Sequence, residues 1–337
     1  MKQALISASM LALFTTMPAR ADIEAGVKAL DDGNIEAAIS HFETDLETAE
    51  TAFDAHWRMG QALVMAGQDK DALDFLEKAV EMNADHADAQ YWWGAANGQV
   101  AGKASIFSAP GYAKKSLAAF ERTLELDPNH MPAREGLVQF HLRAPGIVGG
   151  DKDKARTLAA EALEIDRWKG LMLTAMVQQN DKDMEGALET YATMMADFPG
   201  KPRPYLDRGL TLREMERFEE AGADFIALAE IGDGLGEDAE KEDRVIASLG
   251  HYFLGSVASM SGQYQAEGIK ALEAYLAKGN FDHPRREAYA RYYLADIYLA
   301  TGAVDKAREN VELAAEKDGG DDLKKLVKKL KKAIKKA

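Results

Sequence analysis

GQALVMAGQDKDALDFLEKAVEMN, residues 60–83, decides the fold. Its second half, DALDFLEKAVEMN, sets apolar side chains at helical spacing, and its first half carries Gly60 and Gly67. Each glycine has a copy 34 residues away: Gly26 and Gly94 flank Gly60, Gly33 precedes Gly67, and Ala38 and Ala72 repeat alike. A fixed period of that length marks stacked supersecondary units, each too small to bury its apolar face alone.

The first unit offers Gly26, Gly33, Ala38 and Phe42, and the second Gly60, Gly67, Ala72, Leu76 and Ala79. These units resemble tetratricopeptide repeats (TPRs), helix pairs with a small residue at position 8, glycine at 15, alanine at 20, an aromatic at 24 and often proline at 32. The small residues let helix A and helix B approach closely. The third unit opens with Gly94, meets its turn glycine only at Gly111 after ten extra residues that include AGKASIFSAP, and continues to Phe120 and Pro128. The fourth delays its turn with APGIVGG before Ala155 and Ala162. The fifth keeps Ala187, Tyr191 and Pro199 without the turn glycine, and the sixth has Gly209, Phe218, Ala221 and Phe225. Gly255 and Gly262 centre a seventh unit, and Gly302, Ala307, Val311 and Ala314 an eighth. The expectation is an all-α fold, a TPR-type right-handed helical solenoid of about eight helix pairs with a C-terminal capping helix.

The chain divides accordingly into a leader over 1–21, repeats over 22–231, an acidic linker over 232–243, repeats over 244–319 and a basic helix over 320–337. Lys2, the apolar run over 4–17 and Ala19-Arg20-Ala21 read as a secretory signal cut after Ala21, which places the mature chain in a bacterial periplasm. SAPGYAKKSLAAF and APGIVGG are also similar to stretches of periplasmic proteobacterial TPR proteins. There is no cysteine, so disulfides, thiolate metal sites and cysteine nucleophiles are excluded. Setting aside Lys2 and Arg20 leaves 39 basic against 56 acidic residues, a formal charge of −17 that argues against a nucleic-acid partner. Residues 323–337 nevertheless hold eight lysines and no acid.

The resemblance implies a concave face lined by helix A at positions 2, 5, 9 and 12. Position 5 falls on Trp57, Tyr91, Tyr252 and Tyr292, which would either anchor a partner or pack between repeats. Gln61, Glu135, Gln139, Arg143, Arg203, Arg213 and Asp296 are their polar neighbours. The Lys, Asn and Arg clamp by which some TPR domains hold a C-terminal carboxylate is missing, since those places read Trp57 and Gln61, Tyr91 and Ala95, Glu135 and Gln139. The inserted turns put Ile106, Phe107, Ile147 and Val148 on loops of one rim, either to dock a partner or to fold back over the bundle edge.

Other motifs carry less. Gly146, Gly149 and Gly150 before a helix could form an anion nest or simply a tight turn. GQVAGKAS fails the phosphate-loop count, because Gly98 and Gly102 enclose three residues and Ala104 separates Lys103 from Ser105. His130, His141 and His251 stand apart without metal-ligand spacing, and the acidic linker departs from the EF-hand pattern. In the last helix Leu323, Leu326, Val327, Leu330 and Ile334 share a face, which suits a cap and also a contact with anionic membrane or an acidic partner.

No nucleophile, base and orienter arrangement is visible, and no cofactor or metal is expected. The sequence therefore points to a non-enzymatic periplasmic scaffold that binds a protein or peptide segment on the concave face. Its competitor is an accessory ligand-binding component of a periplasmic solute transport system, resembling TPR proteins associated with uptake. That role needs an enclosed pocket lined by aromatics such as Tyr91 and Trp92.

Overall fold

The computed structural model describes residues 20–48, 51–279, 281, 283 and 285–337, so nearly all of the expected leader lies outside it. Among the described residues the chain forms seventeen α-helices, one 3-10 turn and no strand. They fall into two compact units that divide inside one helix, between Leu173 and Thr174. The first unit pairs α1 (Arg20–Asp31) with α2 (Ile35–Asp45), α3 (Ala52–Met65) with α4 (Asp69–Met82), α5 (Ala87–Lys103) with α6 (Ala109–Leu126), and α7 (Met131–Arg143) with α8 (Lys152–Ile165). The division falls in α9 (Arg167–Asn180), which α10 (Met184–Asp197) follows. The second unit continues with α11 (Arg203–Glu214) and α12 (Phe218–Gly234), α13 (Lys241–Ser261) and α14 (Gln265–Lys278), α15 (Arg286–Ala300) and α16 (Val304–Glu316), and ends in α17 (Gly320–Ile334). Within a unit α3 also meets α5 and α13 meets α15, so helices A line up beside one another.

The periodic glycines explain the pairing. A Cβ on Gly60 would lie 2.3 Å from Leu76 Cγ, and one on Gly209 would lie 2.7 Å from Phe225 Cε1. Helix A is notched so that the large residue of helix B can enter; Leu76 and Phe225 are wholly buried there. Side chains of that size stabilise by about 2 kcal/mol each when removed from water, which is how units without disulfides hold together.

The turn between the helices is equally regular. Gly67 and Gly302 take the left-handed conformation, with φ of 75° and 81°. In the repeats over α9–α10 and α11–α12 the same place is filled by Lys182 and Glu216, which adopt φ of 66° and 56° without glycine's freedom. Stacking of neighbours thus overrides local preference.

The extra residues of the third unit do not form a long loop turning at Gly111. They lengthen the helices: α5 has 17 residues and α6 has 18, and Gly111 lies in the first turn of α6. The remaining turn spans only 104–108. The acidic linker is likewise shorter than its composition suggests, because α12 runs through Gly234 and α13 starts at Lys241. Gly232 packs there on Ala247, and Glu242 and Asp243 occupy the first turn of α13, where the helix dipole favours acids.

In α17, Leu323, Val327, Leu330 and Ile334 are buried against the cluster that contains Val311 and Ala314. The helix caps the second unit with its apolar face and leaves its lysines outside.

Candidate functional site

The helix A residues singled out in the sequence fall into two groups, one in each unit. In the first unit Trp57 is 4% exposed, so its ring serves packing and offers nothing to a partner. Its Nε1 donates to Asp54 Oδ1 at 3.1 Å, its face carries the Arg58 guanidinium at 3.8 Å, and the His86 ring lies 5.1 Å away. Gln61 accepts from Arg58 Nη1 at 2.9 Å, and burial holds that guanidinium below its ordinary pKa.

Tyr91 is half-buried among Trp92, Phe120 and His130, whose ring centroids lie 5.0 to 5.9 Å away. Burial, with Glu135 second, raises its phenol pKa, and α5 and α7 meet one another. Gln139 Nε2 donates to Glu135 Oε1 at 3.1 Å, and Arg143 is exposed at the end of α7. His86, and His130, weighed from the sequence only as a metal ligand, cap α5 and α7: their Nδ1 atoms accept from Ala89 N and Ala133 N at 3.2 and 3.1 Å. His130 Nε2 then faces Asp88 Oδ1 at 3.3 Å, a hydrogen bond that lowers the Asp88 carboxyl below its usual range. The signal was available, since the two histidines stand 44 residues apart, one repeat plus the ten-residue insertion.

The second unit holds the richer patch. Arg213, in the last turn of α11, donates through Nη1 to Ser256 Oγ at 3.0 Å and lies 4.9 Å from the Phe253 ring centre. Ser259 on α13 donates to Asp296 Oδ2 on α15 at 2.8 Å, and Gln179 Nε2 to Thr211 Oγ1 at 2.9 Å. A cleft of about 560 Å³ runs between them, lined by Gln179, Thr211, Arg213, Glu214, Met260 and Tyr293. Met260 is 57% exposed beside these polar groups. Tyr292 stands half-buried on α15, and burial with Asp296 nearby pushes its phenol up to about 12. Tyr252, by contrast, is only 7% exposed and packs against Tyr275 and Tyr293, its pKa raised by burial. Arg203 donates from Nε to Asp207 Oδ2 at 2.7 Å, away from the cleft lining.

The glycine cluster between α7 and α8 is not an anion nest. Gly149 N and Gly150 N are spent on Gly146 O and Pro145 O, and the Asp151 carboxylate already accepts from Asp153 N and Lys154 N at the start of α8. Among the described residues no three His, Asp or Glu side chains converge as metal ligands. What the arrangement can do is bind, with a guanidinium, hydroxyls, a carboxylate and an apolar side chain presented by several helices.

Comparison with known proteins agrees with this architecture. Signatures of the tetratricopeptide repeat match residues 29–94 and 247–322. No curated protein matches the chain. Among solved structures it is similar to yeast Tom70, with 16% identity over 96% of this chain and 66% of that one, at a TM-score of 0.62. It is also similar to a tetratricopeptide repeat protein from Parabacteroides merdae, with 11% identity over 83% of this chain and 98% of that one, at a TM-score of 0.54. At such identities the likeness carries the fold alone.

Proposed function

We propose that this chain, a tetratricopeptide-repeat protein, is a non-enzymatic scaffold that binds a segment of a partner protein along the helix A face of its second unit. The observation that carries this reading is the cleft at Arg213, where hydrogen-bonding groups from α9, α11, α13 and α15 meet an exposed Met260. A segment in that cleft gains apolar contact at Met260 and hydrogen bonds donated by Arg213, and beyond the cleft lining the Asp296 carboxylate, joined to Ser259, accepts from the segment's backbone N–H groups. The face of Tyr91, Glu135 and Gln139 in the first unit supplies a second contact of the same kind. The leader-like start supports a periplasmic setting for this work, in which an acidic composition would speed encounters with basic partners in a salt-sensitive way.

The test is capture of bound proteins from an envelope extract by the wild type and by an Arg213→Ala, Asp296→Ala variant. A partner held by the first and lost by the folded variant supports the scaffold. Identical partners on both overturn the assignment of this face, and no protein on either moves the solute-transport role ahead.

A further inference from the structure

Three side chains break the rule that large apolar groups leave water. Ile106 is 83% exposed, and Phe107 and Ile147 are 89% exposed; the next such residue among those described, Met260, is at 57%. All three sit on the turns α5–α6 and α7–α8, and these three side chains do not cover the bundle edge, whereas Val148 is half-buried. The turns hold their own shape. Ser108 N and Ala109 N donate to Ser105 O at 3.0 and 2.8 Å, and Val148 N and Gly149 N donate to Pro145 O and Gly146 O at 3.0 Å. Much of their backbone polarity is thus satisfied inside the turn, which is what a loop needs before its tip can leave water.

The two tips share an edge. Both are turns from helix A to helix B in neighbouring pairs, and the second packs back on α6, where a Cβ on Gly149 would lie 2.7 Å from Leu117 Cδ2. Leu117 is eight residues beyond Ala109, about 12 Å along the helix. The helices that carry the tips are also poor in acid. In a sequence with 56 acids, residues 89–120 and 136–150 contain none, while Lys103, Lys114, Lys115 and Arg143 flank the tips. Lys103 and Lys115 pair with Asp69 and Glu77 of α4 at 2.5 and 3.0 Å. Among the described residues Lys114 and Arg143 have no acidic partner.

We propose that these turns dock the protein peripherally on an anionic lipid bilayer, with Ile106, Phe107 and Ile147 entering the boundary between headgroups and acyl chains and Lys114 and Arg143 meeting lipid phosphates. Protruding side chains suit a bilayer, which admits them without a shaped pocket, and Lys114 and Arg143, which no acid among the described residues neutralises, suit its negative surface. The lysine helix α17 is the weaker anchor, because its apolar stripe is already buried in the cap and only Leu326, at 37%, faces outward. Among the described residues no helix is long and apolar enough to cross a membrane, so the contact is of the surface kind, comparable with the association of about 10⁴ M⁻¹ given by a single acyl chain.

The experiment is co-sedimentation of the full protein with vesicles of phosphatidylcholine and phosphatidylglycerol in a two-to-one ratio, beside vesicles of phosphatidylcholine alone. Binding is expected on the anionic vesicles, and the Ile106→Ser, Phe107→Ser, Ile147→Ser variant should lose it by about a hundredfold. A Lys328→Gln, Lys329→Gln, Lys332→Gln variant should keep most of it. All six sites are exposed or outward, so both variants fold, as circular dichroism would verify. If the loop variant binds as well as the wild type, or if the wild type ignores anionic vesicles, the proposal is overturned. In the second case the tips belong to a protein groove.

Discussion

Arg208 and Asp224 join helix A to helix B of the sixth repeat through two hydrogen bonds, Nε to Oδ2 at 2.8 Å and Nη2 to Oδ1 at 2.5 Å. Asp224 is 3% exposed, so its charge has left water and depends on this one guanidinium. The same pair raises the Arg208 pKa above its ordinary value, the hydrogen bonds outweighing burial. Removing one partner strands the other, and Arg208→Ala should cost about 3 kcal/mol of unfolding free energy. The Arg208→Leu, Asp224→Leu double variant should recover most of that loss, as urea titration would read.

Lys182 and Glu216 occupy a turn position where Gly33, Gly67 and Gly302 stand in other repeats, all with positive φ. A side chain in the left-handed region costs roughly 1–2 kcal/mol, and glycine's extra freedom in the unfolded chain offsets part of that. Lys182→Gly and Glu216→Gly should therefore each stabilise by about 0.5–1 kcal/mol. A loss of stability at both would contradict the account of the turn.

Two glycines in helices A should respond oppositely to a methyl group. At Gly60 the new Cβ meets Leu76 Cγ at 2.3 Å, and overpacking of that kind costs about 1–3 kcal/mol. At Gly102, in the last turn of α5, nothing lies within 4 Å, so Gly102→Ala should stabilise by about 0.5 kcal/mol through helix propensity. Thermal melts of the two variants separate the cases.

Asp45 gives the pH prediction. Its side chain is 1% exposed, Oδ2 has no hydrogen-bond partner, and burial together with the neighbouring Asp22 raises its carboxyl above the usual range. A carboxyl held higher in the folded chain than in the unfolded one costs stability wherever it is ionised in both states, and costs nothing below the unfolded value of about 3.9. Asp45→Asn should stabilise at neutral pH, and the gain should shrink as pH falls through the folded pKa. An unchanged or reversed difference across that range would contradict it.

The fold was legible because its cause is repetitive. Gly60 must be small for Leu76 to enter, and the same steric demand at Gly26 and Gly209 prints a period into the sequence. The site was less legible, because position within a repeat says which helix a residue sits on and not how deeply its ring is buried. Trp57 and Tyr252 took the packing role, whereas Tyr292 and Arg213 stayed half-buried, and the difference lies in neighbours such as His86 and Tyr275 that lie outside the ring's own helix. The cleft needed Met260 and Gln179, an exposed methionine and a glutamine with nothing in their local sequence to mark them. The inserted residues misled for a related reason: helix propagation from α5 and α6 absorbed most of them, leaving only the turn at 104–108.

The most direct test of the binding face is site-specific photo-crosslinking, with p-benzoylphenylalanine placed at Met260 in the cleft or at Lys270 on the exposed side of α14. The account predicts that a discrete partner protein crosslinks through position 260, that it disappears when Arg213→Ala is added, and that position 270 does not capture it. The same partner captured equally from both positions, or none from position 260, would contradict it.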